Sequence, residues 1–154
     1  MLRIFFALIL FTATSLNAGS VEPRDGWEVR DTDKTFNALV SSVRVAAKAN
    51  GMIVVTQAGP TKAAASRGIT IPGNRIMGVY NNDFAVRMLE QSVPAMIEAP
   101  VRFYVTENTD GTATLSWKTP SFVFAPYATE APGVTAIAEE LDAKFLAIGD
   151  AAAQ

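Results

Sequence analysis

The sequence contains no histidine and no cysteine among its 154 residues. Without histidine there can be no Ser-His-Asp triad, Cys-His couple, two-histidine metal site or histidine haem ligand. Without cysteine there can be no disulfide, thiolate nucleophile or zinc–thiolate site. Any acid–base chemistry would therefore depend on Asp, Glu, Lys or Tyr, and the fold must be stabilised by packing without cross-links.

Charge of one sign is not concentrated anywhere in the chain. The 13 basic and 15 acidic residues are scattered, with neither a basic run nor an acidic tail. Nucleic-acid-binding domains carry a basic patch or stripe. We therefore expect no nucleic-acid partner.

The first eighteen residues have the three-part pattern of a secretory signal peptide. Arg3 precedes an apolar block from Ile4 to Phe11, and Leu16-Asn17-Ala18 supplies a cleavage site after Ala18. The alternative is a membrane anchor, but a span takes about 20 apolar residues, and this block is shorter. We expect a periplasmic or secreted mature protein, with a net charge of −3 and no membrane span after cleavage.

The residues after the cleavage site predict one domain. Residues 19–26 are expected to form a flexible mature N-terminus, and residues 27–150 to form the folded domain. Hydrophobic periodicity predicts strands at 27–30, 52–56, 75–80, 101–106 and 113–118, and helices at 36–47, 61–68, 84–92 and 134–148. Thr32 or Asp33 is expected to cap the first helix, and Glu140 to pair with Lys144 in the last.

This order of elements predicts an α+β fold: a single two-layer domain whose mostly antiparallel sheet has helices packed on one face. The apolar run 52–56 is predicted to be a central strand, covered on at least one face. The segment Pro120–Pro132, rich in proline and aromatic residues, predicts a loop.

The segment Val101–Lys118 predicts a β-hairpin with two unlike faces. Apolar and polar residues alternate along both strands, and Asp110-Gly111 lies in the connection. The polar face carries Arg102, Tyr104 and Lys118, which could bind an acidic ligand or a partner subunit. The alternative is an ordinary solvent-facing surface.

Polar residues at a strand end are a second candidate site. Tyr80, Asn81 and Asn82 follow a predicted strand, where they could line a ligand cleft. The alternative is that the asparagines serve as turn and helix-cap residues. The aromatic side chains of Phe122, Phe124 and Tyr127, in the predicted loop, would suit apolar contact with a ligand.

Two further patterns are weaker. Gly59–Gly68, with Lys62 and Arg67, could bind an anion, but it lacks a P-loop signature, and the alternative is a plain strand–helix turn. Four methionines after Met1 could offer soft ligands to copper(I) or haem. They lack Met-x-x-Met clustering and are interpreted as core fillers, so no metal site or cofactor is predicted. These methionines are Met52, Met77, Met88 and Met96.

Several local strings together resemble the DUF302 family of small, often exported bacterial domains. They are Thr35–Leu39, Lys48–Gln57, Ala63–Ile71, Ile76–Asn82, Glu98–Val105 and Asp110–Pro120. The resemblance runs from Trp27 to the C-terminus and implies a compact α+β domain, with dimer formation common. It implies no agreed catalytic residues. Many members have a histidine near the position of Gln57 to Gly59, which this sequence lacks.

These observations leave three hypotheses of function. The first is a periplasmic small-molecule-binding or accessory module, without catalytic residues. The second is a homodimeric interaction or structural protein. The third, less favoured, is a histidine-free enzyme that uses Lys118 or Tyr80 beside a carboxylate. The predicted ligand-binding residues are Tyr80, Asn81, Asn82, Arg102, Lys118, Phe122 and Tyr127.

Overall fold

A computed structural model describes residues 21–154. The predicted signal peptide, residues 1–18, lies outside the described residues and stays a prediction. Within residues 21–154, no helix combines the length and the hydropathy that a membrane crossing needs.

The five strands form one sheet in the order β1-β5-β4-β3-β2, and every neighbouring pair is antiparallel. The predicted α+β class with a mostly antiparallel sheet is thus confirmed. The strands are β1 (Trp27–Thr32), β2 (Ile53–Ala58), β3 (Asn74–Tyr80), β4 (Val101–Glu107) and β5 (Ala113–Lys118). The helices are α1 (Phe36–Ala49), α2 (Thr61–Ala65), α3 (Asn82–Gln91), α4 (Pro120–Ala128) and α5 (Gly133–Ala153), with a 3₁₀ helix at Pro94–Glu98.

The core lies between one face of the sheet and the helices α1, α3 and α5. Alternation along β4 and β5 directs Phe103 and Trp117 towards these helices, where both are buried. Phe103 stacks on Phe145 of α5 at 4.7 Å between ring centroids and meets Trp117 edge-on at 5.2 Å. Gly149 of α5 lies against Trp117, where a Cβ atom would overlap the indole ring. This glycine allows the helix to approach the sheet closely.

The predicted loop at Pro120–Pro132 is wrong, because residues 120–128 form α4. Pro120 occupies the first turn, where its missing N–H costs nothing, and the Thr119 hydroxyl accepts a hydrogen bond from the Phe122 N–H at 3.3 Å. Pro126 lies inside the helix. The helix persists in spite of this proline because it packs against α5 and the 3₁₀ helix.

Three smaller predictions also fail. Thr35, rather than Thr32 or Asp33, caps α1. The strand predicted to be central, β2, lies at an edge of the sheet. Glu140 pairs with Arg87 of α3, at 2.6 and 2.7 Å, rather than with Lys144. This longer-range pair joins α3 to α5.

Candidate functional site

The second face of the sheet is not covered by α1, α3 or α5. Phe103 pairs with Trp117 in antiparallel strands. Arg102, which precedes Phe103, and Lys118, which follows Trp117, are therefore neighbours, and their side chains point to the opposite face. Tyr104 pairs with Ile76 of β3, and Trp27 of β1 pairs with Lys118. These five side chains share one surface, which we call the open face.

A cavity of about 420 Å³ lies on the open face. It extends across β1, β5, β4 and β3 and is bounded at one end by the 3₁₀ helix and α4. Such a volume falls within the range of small-molecule sites, about 300–1,000 Å³. Its lining residues are Trp27, Asn74, Ile76, Glu98, Val101, Arg102, Tyr104, Trp117, Lys118 and Val123.

Neither of the two cations that line the cavity has an ionic partner among the described residues. Within residues 21–154, no carboxylate oxygen lies within 4 Å of Arg102 or Lys118. The Lys118 ammonium lies 5.7 Å from the Trp27 ring centroid and 5.9 Å from that of Phe122. Aromatic faces attract a cation at this range. The ammonium therefore lies beside two aromatic rings and not beside a carboxylate of the described residues.

Glu98 provides the one carboxylate among the side chains that line the cavity. Its Oε1 atom accepts a hydrogen bond from the Tyr127 hydroxyl at 2.9 Å. That hydrogen bond raises the pKa of Tyr127 above its ordinary value. With Arg102 and Lys118 opposing Glu98, the cavity carries a formal charge of +1 in a protein whose full chain is acidic overall.

Four of the seven predicted site residues lie at or beside this cavity. Arg102 and Lys118 line it, Phe122 flanks Lys118, and Tyr127 contacts Glu98. Two independent sequence patterns, the alternation of the hairpin and the aromatic segment after it, therefore indicated residues at the same cavity. That these residues bind a ligand stays a prediction.

The other three predicted residues lie elsewhere. Tyr80 and Asn81 line a smaller cavity on the helix-covered side of the sheet. The Asn81 side chain accepts hydrogen bonds from the N–H groups of Asp83 and Phe84, at 2.8 and 3.2 Å, and donates one to the Gly51 carbonyl. Asn82 is exposed in the first turn of α3. Asn81 therefore serves as a helix cap.

Sequence reasoning missed Trp27, Asn74 and Glu98 as cavity residues. Trp27 comes close to Lys118 only because β1 pairs with β5, a contact between distant parts of the chain. Asn74 donates a hydrogen bond to the Tyr104 hydroxyl across β3 and β4. No local motif marks these residues, since each depends on strand pairing or on the position of the 3₁₀ helix.

The remaining chemical candidates find little support in the described residues. The enzyme hypothesis needs a carboxylate beside Lys118 or Tyr80, yet the Tyr80 hydroxyl faces the Asn82 amide oxygen at 3.5 Å. Within residues 21–154, no three His, Cys, Asp or Glu side chains are grouped to hold a metal ion. The Gly59–Gly68 segment contains the short helix α2, none of whose residues is buried.

Fold and cavity together define a two-layer α+β domain with an open, cation-bearing sheet face. The DUF302 family, described as a domain of unknown function, matches residues 28–152. The chain therefore belongs to the DUF302 family, as its local strings predicted.

A solved relative has the same fold. The crystal structure of an uncharacterized conserved DUF302 protein from Bacillus stearothermophilus superposes with a TM-score of 0.75. The two sequences are 18% identical, and the match covers 85% of this chain and 100% of the other. At that identity the likeness concerns the fold alone. No curated protein matches the chain.

Proposed function

We propose that this protein is a binding module for a small organic monoanion, most simply a carboxylate with an aliphatic or aromatic body. The observation that carries the proposal is the cavity of about 420 Å³ on the open face, with two cations that lack an ionic partner in residues 21–154. If the predicted signal peptide is cleaved, the module acts in the periplasm or outside the cell.

The charge of the cavity favours one negative charge on the ligand. Arg102 offers a planar guanidinium that can donate two parallel hydrogen bonds to a carboxylate. Lys118 adds a second positive charge, while Glu98 opposes a second negative charge nearby. A monoanion would neutralise the formal charge of +1 in the cavity, a dianion would leave a net negative charge beside Glu98, and a neutral molecule would leave both cations without a partner.

The apolar part of the lining favours a hydrophobic body on the ligand. Trp27, Ile76 and Val123 contribute apolar surface to the cavity, and Phe122 lies beside its Lys118 end. Burial of apolar ligand surface contributes roughly 25 cal/mol per Å². A short, purely polar anion such as acetate would gain little of this and should bind weakly.

The test compares carboxylates with amides of the same shape, for example octanoate with octanamide and phenylacetate with phenylacetamide, by calorimetry and thermal shift. We expect only carboxylates to bind. At a ligand concentration 100 times Kd, the free energy of unfolding should rise by about 2.7 kcal/mol. Equal binding of an amide and its carboxylate would contradict the proposal.

The matched variants alter charge inside and outside the cavity. Arg102→Gln with Lys118→Gln should weaken carboxylate binding at least tenfold. The control, Lys62→Gln with Arg67→Gln, removes two exposed cations near α2 and should leave binding unchanged. If both pairs weaken binding equally, the effect is one of overall charge and the cavity is not the site.

A second candidate is a homodimer formed through the open face. Ile53 is 57% exposed and Ile76 is 39% exposed, and both point to that face. A second copy would cover these aliphatic side chains in a symmetric interface. Sedimentation velocity should then show a dimer that Ile76→Asp converts to a monomer, whereas Leu146→Asp on α5 should have no such effect.

A further inference from the structure

Three of the four methionines in residues 21–154 line one small cavity on the helix-covered side of the sheet. Met52 precedes β2, Met88 lies in α3, and Met96 lies in the 3₁₀ helix. Met52 and Met88 are each only 2% exposed, and Met96 is partly buried. Residues that are dispersed in the sequence are therefore neighbours in the fold.

The size of this cavity suits a single ion. Its volume is about 30 Å³, whereas a water-sized occupant needs about 10–15 Å³. An organic molecule would not fit without rearrangement of the core. Most of its lining residues are aliphatic or aromatic, and the three methionines are the ones among them that carry a soft donor atom.

We propose that Met52, Met88 and Met96 form a binding site for one Cu(I) ion. Thioether sulfur is a soft ligand and selects Cu(I) over hard cations. Mg²⁺ and Ca²⁺ require oxygen ligands, which this lining does not supply in number. With neither histidine nor cysteine in the sequence, methionine is the soft ligand that the chain has to offer.

The surroundings reduce the cost of placing a cation in an apolar site. Phe84, Phe124 and Phe145 also line the cavity, and aromatic faces attract cations. A monovalent ion moreover loses less hydration energy than a divalent one. Copper(I) is therefore the transition-metal ion best matched to both the donors and their environment.

Existing hydrogen bonds hold the elements that carry the methionines. The Met52 N–H donates to the Ala47 carbonyl at 2.9 Å, which fixes the approach to β2. The Asn81 amide donates to the Gly51 carbonyl at 2.8 Å and also caps α3, the helix of Met88. The segment before β2 and the start of α3 are thus tied together, so that two of the three methionine-bearing segments are held relative to each other before any ion enters.

The experiment is an anaerobic titration of the purified protein with Cu(I) in competition with bicinchoninate, followed by copper X-ray absorption. We expect one Cu(I) per chain with sulfur scatterers in its coordination shell. Met88→Leu and Met96→Leu should each lower the affinity at least tenfold. Leucine nearly conserves the volume of methionine, so both variants should fold, and circular dichroism checks this.

Met77→Leu is the matched control, because Met77 is a buried methionine of β3 that does not line this cavity. It should leave Cu(I) affinity unchanged, as should the Arg102→Gln and Lys118→Gln pair. Failure to take Cu(I) from the competitor would overturn the proposal. So would equal losses in Met77→Leu and Met88→Leu, or a shell of oxygen and nitrogen scatterers.

Discussion

The sheet face on which Arg102 and Lys118 lie could be predicted from the sequence, because the strand pairing there is regular. Both were placed on one face from alternation alone, since side chains in a strand alternate between faces. The structure puts them side by side at one cavity. Trp27 could not be found this way, because its proximity to Lys118 depends on pairing between β1 and β5.

Tyr127 offers a prediction about pH. The hydrogen bond to Glu98, with loss of hydration as a smaller cause, raises the pKa of Tyr127 above its ordinary value. The stabilisation is therefore complete below the ordinary tyrosine pKa of about 10 and is lost as the pH rises through the higher folded-state value. The phenolate absorbance of the wild type minus that of Tyr127→Phe should show this raised pKa.

Glu98→Ala is the companion variant. It removes both the hydrogen-bond acceptor and the negative charge that oppose ionisation of Tyr127, so the pKa of Tyr127 should fall towards its ordinary value. Tyr104→Phe, which alters a different tyrosine of the open face, should leave the Tyr127 titration where it was. An unchanged pKa of Tyr127 in Glu98→Ala would show that the hydrogen bond is not formed in solution.

The helices and strands whose apolar residues recur with a clear period could be predicted from the sequence, whereas α4 could not. The apolar stripe of α5 and the alternation of the hairpin each match one secondary structure. The α4 segment, by contrast, has apolar residues on all sides and two prolines, Pro120 and Pro126. Its helical state depends on packing against α5, which no local pattern reports.

The sequence also did not indicate that β2 lies at an edge of the sheet. A continuous apolar run is typical of a covered strand, but Ile53 and Val55 are exposed at the edge of the sheet. The register shift between Val54 and Thr56 disrupts regular pairing there. Bulges of this kind hinder unwanted edge-to-edge association.

Asn81 and Asn82 provide a test at the start of α3. Asn81→Ala removes the acceptor of the Asp83 and Phe84 N–H groups and the donor to Gly51. Loss of such a cap should lower the free energy of unfolding by about 1–2 kcal/mol. Asn82→Ala, at an exposed helical position, should change it by less than about 0.5 kcal/mol. Urea denaturation of both variants checks the difference.

Equal stability of the two variants would contradict the assignment of Asn81 as a cap. If Asn81→Ala instead weakened carboxylate binding without loss of stability, Asn81 would be a ligand-binding residue, as its strand-end position first indicated. These outcomes separate the two interpretations that the sequence left open for this segment.

At the scale of the whole molecule, the layered fold divides the protein into two sides with different chemistry. The helix-covered side buries the aromatic core around Phe103, and the open face presents cations and aliphatic side chains. The fold class and the family were predictable from the sequence. The cavity was not, because it is formed by four strands, the 3₁₀ helix and α4 together.

Native mass spectrometry of the mature protein, purified from the cells that make it, tests the proposed function most directly. We predict a retained small molecule with one acidic group, which is lost from the Arg102→Gln and Lys118→Gln variant and kept by the Lys62→Gln and Arg67→Gln variant. A protein that retains no small molecule and binds no carboxylate when one is added would contradict a role in anion binding. So would a retained molecule that stays bound after both cavity cations have been removed.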